Sequence, residues 1–289
     1  MRVLVTGASG TIGGAAARAL LRRGHQVVGV VRAVGQAVPE GVEPLVADLF
    51  EAGAAAAAAE GVDGAVHAAS TNDERAGEFD RVVVRALLDR FAGTGRPLVY
   101  TSGLWLHGDT GGVPAAEDAP FDPPSVVAWR PELERMVAEA ADGVRTVRIR
   151  PGLVYGHGRG YVPAVLAPQE APGGGLVVRH FGAGDNRWAV VHADDLGELY
   201  ALALEAAPAG SVYLGVTEDP VRVADAAQVV ADRHGARVEA WDPEDAERYW
   251  GVMVQPFLLD QVATAARARS ELGWRPHHPS LLEELKQGG

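Results

Sequence analysis

The residues with the clearest chemical spacing in this chain are three glycines near the amino terminus, Gly7, Gly10 and Gly13. They follow an apolar run that begins at Val3 and precede an alanine-rich segment, an order that predicts strand, tight turn and helix. Glycine permits the turn, removes a side chain that would block a phosphate, and lets helix and strand pack closely. Free N–H groups at a helix start face such an anion. The spacing therefore predicts a cradle for the pyrophosphate of a dinucleotide.

This turn and two later pairs supply most of the expected dinucleotide contacts. The turn residues concerned are Gly7, Ser9, Gly10, Thr11, Ile12 and Gly13. Asp48 and Leu49 end the third predicted strand, where the carboxylate would meet the adenine amino group. Ala68 and Ala69 follow the fourth strand, where small side chains let the nicotinamide ribose lie against the backbone.

The choice of cofactor depends on the tip of the second strand. An acidic residue there would accept hydrogen bonds from the adenosine 2′-hydroxyl and repel a 2′-phosphate. The sequence instead reads V-V-G-V-V-R and places Arg32 at or beside that position. Because a guanidinium suits phosphate, we expect NADP rather than NAD. The alternative is that Arg32 is a solvated residue at a strand end.

The elements that must position these residues alternate between strand and helix. After the first strand, the predicted strands are 26–31, 43–47, 64–67, 97–101 and 146–149. The predicted helices are 13–23, 54–59, 79–91 and 131–141. The alternation predicts the α/β class, with a doubly wound parallel (Rossmann) sheet that binds its ligand beyond the carboxyl ends of the strands.

The composition changes after Gly152. Residues 156–186 are rich in glycine and proline, which predicts loops lining a pocket, and 188–192 is expected to be a strand returning to the main sheet. A helix capped by an acidic residue is predicted over 194–205. We therefore expect a cofactor-binding domain from 1–151 and about 186–215. A smaller substrate-binding subdomain would comprise 152–185 and 216–289.

Bulk composition excludes several classes of protein. The net charge of −12 disfavours nucleic acid and anionic membrane as partners. The absence of cysteine excludes disulfides, thiolate catalysis and sulfur-based zinc sites. No apolar stretch approaches the about 20 residues that a membrane helix needs. Since the first strand starts at Val3, we expect no secretory leader and a cytoplasmic location.

Several motifs are similar to those of one large family. They are T-G-A-S-G-T-I-G, H-A-A-S, L-V-Y-T-S-G-L-W-L-H-G, R-P-G-L-V-Y-G, V-V-H-A-D-D-L and E-L-G-W-R-P. Over nearly its whole length the chain resembles the extended short-chain dehydrogenase/reductase superfamily, of the epimerase/dehydratase type. The resemblance implies a nicotinamide cofactor, a small-molecule substrate and a homodimer that pairs through the fourth and fifth helices.

The resemblance also implies chemistry whose usual residues are missing here. The family uses a serine after the fifth strand and a Tyr-x-x-x-Lys pair on the next helix. Alignment places Gly103 at the serine position, with Ser102 one residue earlier, and places Val126 and Arg130 at the tyrosine and lysine positions. Residues 109–145 contain no tyrosine. The chain therefore resembles an atypical branch that keeps the cofactor fold and lacks the catalytic tetrad.

Three residues are candidates for the missing catalytic work. Ser102 would contact cofactor or substrate beside the nicotinamide, and His107 could donate a proton near neutral pH or form a structural hydrogen bond. Tyr155 either takes part in chemistry or packs under the substrate loop. Arg130 keeps the charge and donors of the lost lysine for a ribose contact, although it cannot act as a base. Pro151 is the last expected cofactor contact.

Other polar residues in the second half have weaker assignments. His157 and Tyr161, in the glycine-rich loop, are candidate substrate contacts. His192 with Asp194 and Asp195 has the composition of a metal site or triad, but the resemblance implies that this stretch holds loops together. We therefore predict no metal site.

These inferences favour an NADP-dependent reductase acting on a small organic substrate. The missing acid suggests an already activated C=N, C=C or C=O group, because hydride addition to a cation needs no concurrent protonation. One alternative is a non-redox isomerase, lyase or cyclase on the same scaffold. Another is a non-catalytic NADP-binding regulatory protein.

Overall fold

A computed structural model describes residues 1–288 of the chain. Its strands are β1 (Arg2–Thr6), β2 (Gln26–Val31), β3 (Glu43–Val46), β4 (Gly64–His67), β5 (Pro97–Thr101), β6 (Arg145–Pro151), β7 (Leu153–Tyr155), β8 (Gln169–Glu170), β9 (Leu176–His180), β10 (Arg187–Trp188), β11 (Val190–His192), β12 (Ser211–Gly215), β13 (Val221–Arg222) and β14 (Arg237–Ala240). Its α-helices are α1 (Thr11–Arg22), α2 (Ala54–Ala58), α3 (Ala76–Phe91), α4 (Arg130–Glu139), α5 (Tyr161–Val165), α6 (Ala193–Ala206), α7 (Val223–His234), α8 (Pro243–Trp250), α9 (Val254–Leu258), α10 (Ala266–Leu272) and α11 (Leu281–Gln287). Short 3-10 turns are formed by Leu104–His107, Ser125–Val127, Ala140–Asp142 and Gly251–Met253.

Seven strands form one parallel sheet in the order β12-β6-β5-β4-β1-β2-β3. From β1 the chain first builds outward through β2 and β3, then crosses to β4 and builds in the other direction. This is a doubly wound sheet, so the predicted fold class is confirmed. Thr6 pairs with His67 at the carboxyl ends of β1 and β4, where the direction of winding changes. A ligand site is expected at that point.

Different helices cover the two faces of the sheet. α1 and α6 pack on one face, and α2, α3 and α4 pack on the other. α3 turns its predicted apolar stripe inward, burying Phe79, Val83, Val84, Leu87, Leu88 and Phe91. Burial of a side chain of this size contributes about 1.5–3 kcal/mol, so the stripe fixes α3 firmly to the sheet.

Buried parallel strands match the sequence prediction best. β2, β4 and β5 have the predicted bounds, whereas β6 extends beyond the predicted 146–149 to Arg145–Pro151. The added residues include Arg150, which is 3% exposed and paired with Glu134. A charged residue that sequence alone places at a strand end is therefore part of the buried strand.

Residues 188–192 do not form one strand of the main sheet, so that prediction is wrong. Arg187–Trp188 pairs antiparallel with β13, and Val190–His192 pairs parallel with β7. The strand that joins the main sheet next to β6 is β12. An apolar run shows that a strand is buried but not which strand it pairs with, because pairing is decided by tertiary contacts.

The cap of α6 also differs from the prediction. The helix begins at Ala193, and Nδ1 of His192 accepts a hydrogen bond from the backbone N–H of Asp194 at 3.1 Å. The cap is therefore a histidine, and the acidic pair Asp194 and Asp195 lies in the first turn, where the helix dipole favours negative charge.

Residues after Gly152 build a third apolar cluster outside the main sheet. It includes Leu153, Phe181, Trp188 and Phe257, together with side chains of α7 and α11. Residues 156–186 contain α5, β8 and β9, so they hold more regular structure than the predicted loops. We retain the predicted division into two subdomains as a proposal. Among residues 1–288, every helix is too short or too polar to span a lipid bilayer.

Candidate active site

The glycine turn between β1 and α1 has the shape of a phosphate cradle. Gly7 has a φ of +72°, and a Cβ there would lie 2.7 Å from the carbonyl oxygen of Ala68. A Cβ on Gly13 would lie 2.3 Å from the carbonyl oxygen of Gly7. Within residues 1–288 no side chain caps α1, so its first N–H groups are free for an anion. These features fit the pyrophosphate of a dinucleotide.

Thr6 ties the cradle to the neighbouring strand. Its Oγ1 accepts hydrogen bonds from the backbone N–H groups of Ala68 at 3.1 Å and Ala69 at 3.2 Å. The same oxygen lies 2.7 Å from Nδ1 of His67, and because it already accepts two bonds it must donate this one. Both small residues predicted at the nicotinamide ribose therefore lie against the glycine turn.

The tip of β2, where the adenosine is predicted to bind, carries a cation without a partner in residues 1–288. Arg32 is exposed just after β2, and its guanidinium has no hydrogen bond or ion pair within the part of the chain that the structure describes. Its backbone N–H donates to Gln36 Oε1 at 3.0 Å, and Gln36 Nε2 donates to Ser9 Oγ at 2.7 Å. Gln36, which sequence reasoning missed, thus holds Arg32 next to the turn.

Asp48 and Leu49 occupy different environments beside the cradle. Leu49 is 4% exposed and belongs to the apolar cluster under α3. Asp48 is exposed, and its Oδ1 accepts a hydrogen bond from the backbone N–H of Phe50 at 2.9 Å. The bond fixes the carboxylate at the tip of β3, and the other oxygen is free for the proposed adenine contact.

A buried polar chain links the cradle to the end of β5. His67 Nε2 donates to Asp80 Oδ1 at 3.3 Å, because Thr6 supplies the proton to the other ring nitrogen. Tyr100 donates from its hydroxyl to Asp80 Oδ2 at 3.0 Å, and Arg130 Nη1 donates to that hydroxyl at 3.3 Å. Burial raises the pKa of Tyr100 well above its usual value, so it stays protonated.

Arg130 lies at the carboxyl end of β5, and its equivalence with the family lysine stays a prediction. Nη1 donates to the carbonyl oxygen of Thr101 at 2.9 Å, and the guanidinium stacks on Trp129 at 4.4 Å from the ring centroid. Nε is buried without a hydrogen-bond partner in residues 1–288. Tyr200 donates to Thr101 Oγ1 at 2.7 Å and holds the same residue from α6.

Ser102 has a buried hydroxyl close to the Glu134 carboxyl, and within residues 1–288 it makes no well-formed hydrogen bond. The residue is 6% exposed, and its Oγ has no hydrogen-bond partner within residues 1–288. Its backbone N–H donates to the carbonyl oxygen of Ile149 at 2.8 Å, which fixes its position next to β6. An unpartnered buried hydroxyl is costly unless a ligand supplies the missing bond.

His107 is held on both ring nitrogens. Nδ1 lies 3.1 Å from the carbonyl oxygen of Pro120 and therefore carries the proton, and Nε2 accepts from Arg150 Nη1 at 3.2 Å. Burial and the neighbouring Arg150 charge lower the pKa of His107. A neutral imidazole with its only proton engaged favours the structural alternative, and the catalytic role of His107 stays a prediction.

Tyr155 faces the carboxyl-terminal segment. Its hydroxyl donates to the carbonyl oxygen of Pro279 at 2.7 Å, and burial raises its pKa. The ring packs edge-on against His192 at 5.4 Å. Within the described residues no hydrogen bond joins Ser102, His107 and Tyr155, so the structure does not assemble them as one catalytic group.

Pro151, the last predicted cofactor contact, is the final residue of β6, where it pairs with Gly215 of β12.

An aromatic wall includes Trp105, for which the sequence leaves a pocket wall and core packing open, and its other members were not predicted as part of a wall. Trp105 and Tyr161 have ring centroids 5.9 Å apart, and both contact Phe257, at 5.8 and 5.7 Å. Burial raises the pKa of Tyr161, and the charge of Arg130 opposes that rise. Residues distant in sequence form the wall, so no local motif could have predicted it.

A histidine cluster lies at the start of α6. The rings of His192 and His278 stack with centroids 4.3 Å apart, and Nδ1 of His278 lies 2.8 Å from Asp195 Oδ1. The backbone N–H groups of His277 and His278 also donate to Asp195. The ligand atoms of His192, Asp194 and His278 lie within 4.8 Å of one another, a spacing that a metal could use. Because these groups already have protein partners, absence of a metal stays our prediction.

Comparison with known proteins places this site in a family. The model of the NAD dependent epimerase/dehydratase family matches residues 3–214. The chain belongs to this family. An uncharacterized protein of Schizosaccharomyces pombe is 30% identical over 99% of this chain and 98% of its own length. The 3-diazoavenalumate denitrifying reductase of a Streptomyces species is 31% identical over 99% of both chains.

Solved structures agree on the fold. UDP-glucose 4-epimerase of Thermus thermophilus, solved in complex with NAD, superposes with a TM-score of 0.80 at 24% identity, covering 99% of this chain and 97% of its own. In this epimerase/dehydratase family member, the position that our alignment assigns to the family tyrosine is Val126. Val126 lies there in a 3-10 turn before α4, and its carbonyl oxygen accepts from Trp129 Nε1 at 3.2 Å.

Proposed function

We propose that this protein is an NADP-dependent reductase of a small organic substrate whose reacting group is already activated. The observation that carries the proposal is the buried hydroxyl of Ser102, which makes no well-formed hydrogen bond within residues 1–288 and directly follows Thr101, the residue that Arg130 holds. NADPH, when bound, would supply the hydride. Among this chain's residues, those nearest that point offer hydrogen-bond donors and a positive charge but no ready acid.

The chemistry of the Arg130 and Ser102 side chains gives each of them a different role. Arg130 holds the carbonyl oxygen of Thr101 and so fixes the end of β5, which places the Ser102 hydroxyl. Ser102 would donate a hydrogen bond to a heteroatom of the substrate. Arg130 cannot be the acid, because a guanidinium does not lose its proton in proteins. A tyrosine acid would need its pKa lowered by about 3 units, or ~4 kcal/mol, and the family position for it holds Val126.

An activated substrate removes the need for such an acid. Hydride addition to a cationic or strongly polarised centre does not require simultaneous protonation of an oxygen. The Streptomyces relative is named as a reductase of a diazo compound, 3-diazoavenalumate, which supports this substrate class for the present chain. Iminium ions, conjugated alkenes and polarised carbonyls are the other members of the class.

The preference for NADP rests on Arg32. Its guanidinium is exposed and unpaired within residues 1–288, beside the tip of β2. The Thermus neighbour was solved with NAD, so the preference is a proposal about this chain alone. Arg32→Gln should weaken NADPH binding about tenfold and leave NADH binding unchanged, as measured by calorimetry.

The position of the substrate and the oligomeric state are also part of the proposal. The substrate would lie between the Rossmann body and residues 152–185, near the aromatic wall of Trp105 and Tyr161. We further propose a cytoplasmic homodimer formed through α3 and α4, which correspond to the helices that relatives number four and five. Ultracentrifugation tests the dimer, and a sedimentation coefficient of one chain at all concentrations would reject it.

One assay tests the function. Purified protein is mixed with NADPH and a panel of carbonyl, imine, enone and diazo compounds, and loss of NADPH absorbance is followed. We expect turnover in at least one activated class and a loss of most of that turnover in Ser102→Ala. Tight NADPH binding without turnover on any class would overturn the reductase proposal.

A further inference from the structure

We propose that the loop of residues 156–160, G-H-G-R-G, forms the second wall of the pyrophosphate site and that Arg159 binds the anion opposite the start of α1. The inference rests on the cofactor part of the proposed function. It adds a contact that the glycine motif alone does not provide.

A cleft brings the two walls together. It has a volume of about 260 Å³ and is lined by Thr11, Arg18, His157 and Arg159. Thr11 is the first residue of α1, so the cleft opens on the uncapped N–H groups of that helix. A larger cleft of about 450 Å³ lies at the other end of α6, where Arg267 and Glu271 pair with each other.

Arg159 adds an exposed positive charge next to the start of α1. Its Nη2 donates to the carbonyl oxygen of Ser9 at 2.9 Å, two residues before α1 begins. The start of a helix carries a partial positive charge, so a guanidinium placed there is repelled. Within residues 1–288 no carboxylate pairs with Arg159, although the chain has a net charge of −12. A phosphate between the two positive groups would turn repulsion into attraction.

Arg18 and His157 are positioned around the same cleft by Asp194. Arg18 Nη2 donates to Asp194 Oδ1 at 2.7 Å, and His157 Nε2 lies 2.8 Å from Asp194 Oδ2. One carboxylate thus serves Arg18 and His157, which leaves the charge of Arg159 uncompensated. The cleft keeps at least one net positive charge for a pyrophosphate.

The loop is held in place from the other side by the fold. A Cβ on Gly156, whose φ is +115°, would lie 2.5 Å from His192 Nε2, so only glycine fits there. The backbone N–H of His157 donates to Glu284 Oε1 of α11 at 3.2 Å. Arg159 therefore projects from a fixed loop rather than from a free one.

The test is calorimetric titration of NADPH and NADH into the full chain and three variants. Arg159→Gln should weaken both dinucleotides by the same factor, about tenfold or ~1.4 kcal/mol. Arg32→Gln should weaken NADPH alone, because it faces the 2′-phosphate. Arg135→Gln is the matched control, since it removes an exposed positive charge from α4 and should change neither affinity.

Smaller probes locate the contact on the ligand. Arg159→Gln should weaken ADP, which carries the diphosphate, and should leave adenosine unchanged. Wild-type affinity of Arg159→Gln for both dinucleotides would overturn the inference, as would a loss confined to NADPH or no binding by the wild type. If the predicted pattern appears but no substrate is reduced, the reductase proposal fails and this one stands.

Discussion

Arg150 and Glu134 form a buried ion pair with two hydrogen bonds, Nε to Oε1 at 2.8 Å and Nη2 to Oε2 at 2.6 Å. The pair joins β6 to α4, and Arg150 also donates to His107 and to the carbonyl oxygen of Glu117. One guanidinium therefore fixes the helix α4, the histidine after the fifth strand and the sheet to one another.

Glu134→Gln should destabilise the protein strongly. It leaves the Arg150 charge buried without a counter-charge, a change that costs about 3–5 kcal/mol. Urea unfolding measures the free energy of unfolding directly. Glu132→Gln is the control, because Glu132 is exposed on the same helix and pairs only with Arg81 among the described residues, so its loss should cost less than about 1 kcal/mol. Equal losses in the two variants would contradict the assignment.

Ser102→Ala should separate activity from stability. The hydroxyl has no partner in the described part of the chain, so its removal should leave the free energy of unfolding unchanged or raise it by about 1 kcal/mol. The value of kcat/KM should fall about tenfold or more, since a hydrogen bond to the substrate is lost. A variant that is less stable yet fully active would show that the hydroxyl serves the fold.

His107→Asn tests whether His107 is structural. The asparagine amide can still donate to Pro120 but cannot accept from Arg150, so we expect a stability loss of about 1–2 kcal/mol. The turnover number kcat should change by no more than a few-fold, and the pH profile of kcat should keep its shape. A large fall in kcat at unchanged stability would instead support the acid role.

The lowered pKa of His107 also predicts how the stability of the protein depends on pH. Burial and the charge of Arg150 hold the folded-state pKa of His107 below that of the unfolded chain. Its contribution to stability is therefore complete above about pH 6.5 and is lost as the pH falls through the folded value. The pH dependence of unfolding should be shallower in His107→Asn over that range.

Protonation of Asp194 should give a second loss of stability, at a more acidic pH than the loss caused by His107. Burial raises the pKa of its carboxyl, but hydrogen bonds from Arg18 and His157 outweigh that effect and lower the pKa from 3.8 to about 2. The unfolded chain takes up this proton first as the pH falls. A contribution of about 2 kcal/mol is thus present above about pH 4 and is lost towards about pH 2. Urea unfolding of Asp194→Asn should lack this step; curves parallel to wild type would contradict it.

Much of the sheet could be predicted from short apolar runs between turns. β2, β4 and β5 have their predicted bounds, because a strand buried on both faces has few polar residues to blur its ends. The stripe on α3 was equally readable, since helical periodicity alone specifies it. The glycine cradle was predicted because its residues are close in sequence.

The parts of the site that could not be predicted depend on contacts between residues that are distant in sequence. His67, Asp80 and Tyr100 come from three separate elements, and nothing local indicates that they form one polar chain. Arg159 looks like any solvated loop residue until the fold brings it to Ser9. His107 was a plausible acid in sequence, but Pro120 and Arg150 engage both of its nitrogens.

Asp195 accepts hydrogen bonds from the backbone of His277 and His278, and Glu284 accepts one from the backbone of His157. These contacts have a consequence for biosynthesis. A chain emerging from the ribosome can form β1 and the glycine turn early, but it cannot complete the opposite wall until α11 has also emerged. The proposed dinucleotide site should therefore be completed late in maturation, and a stalled or clipped polypeptide should bind NADPH more weakly than the full chain.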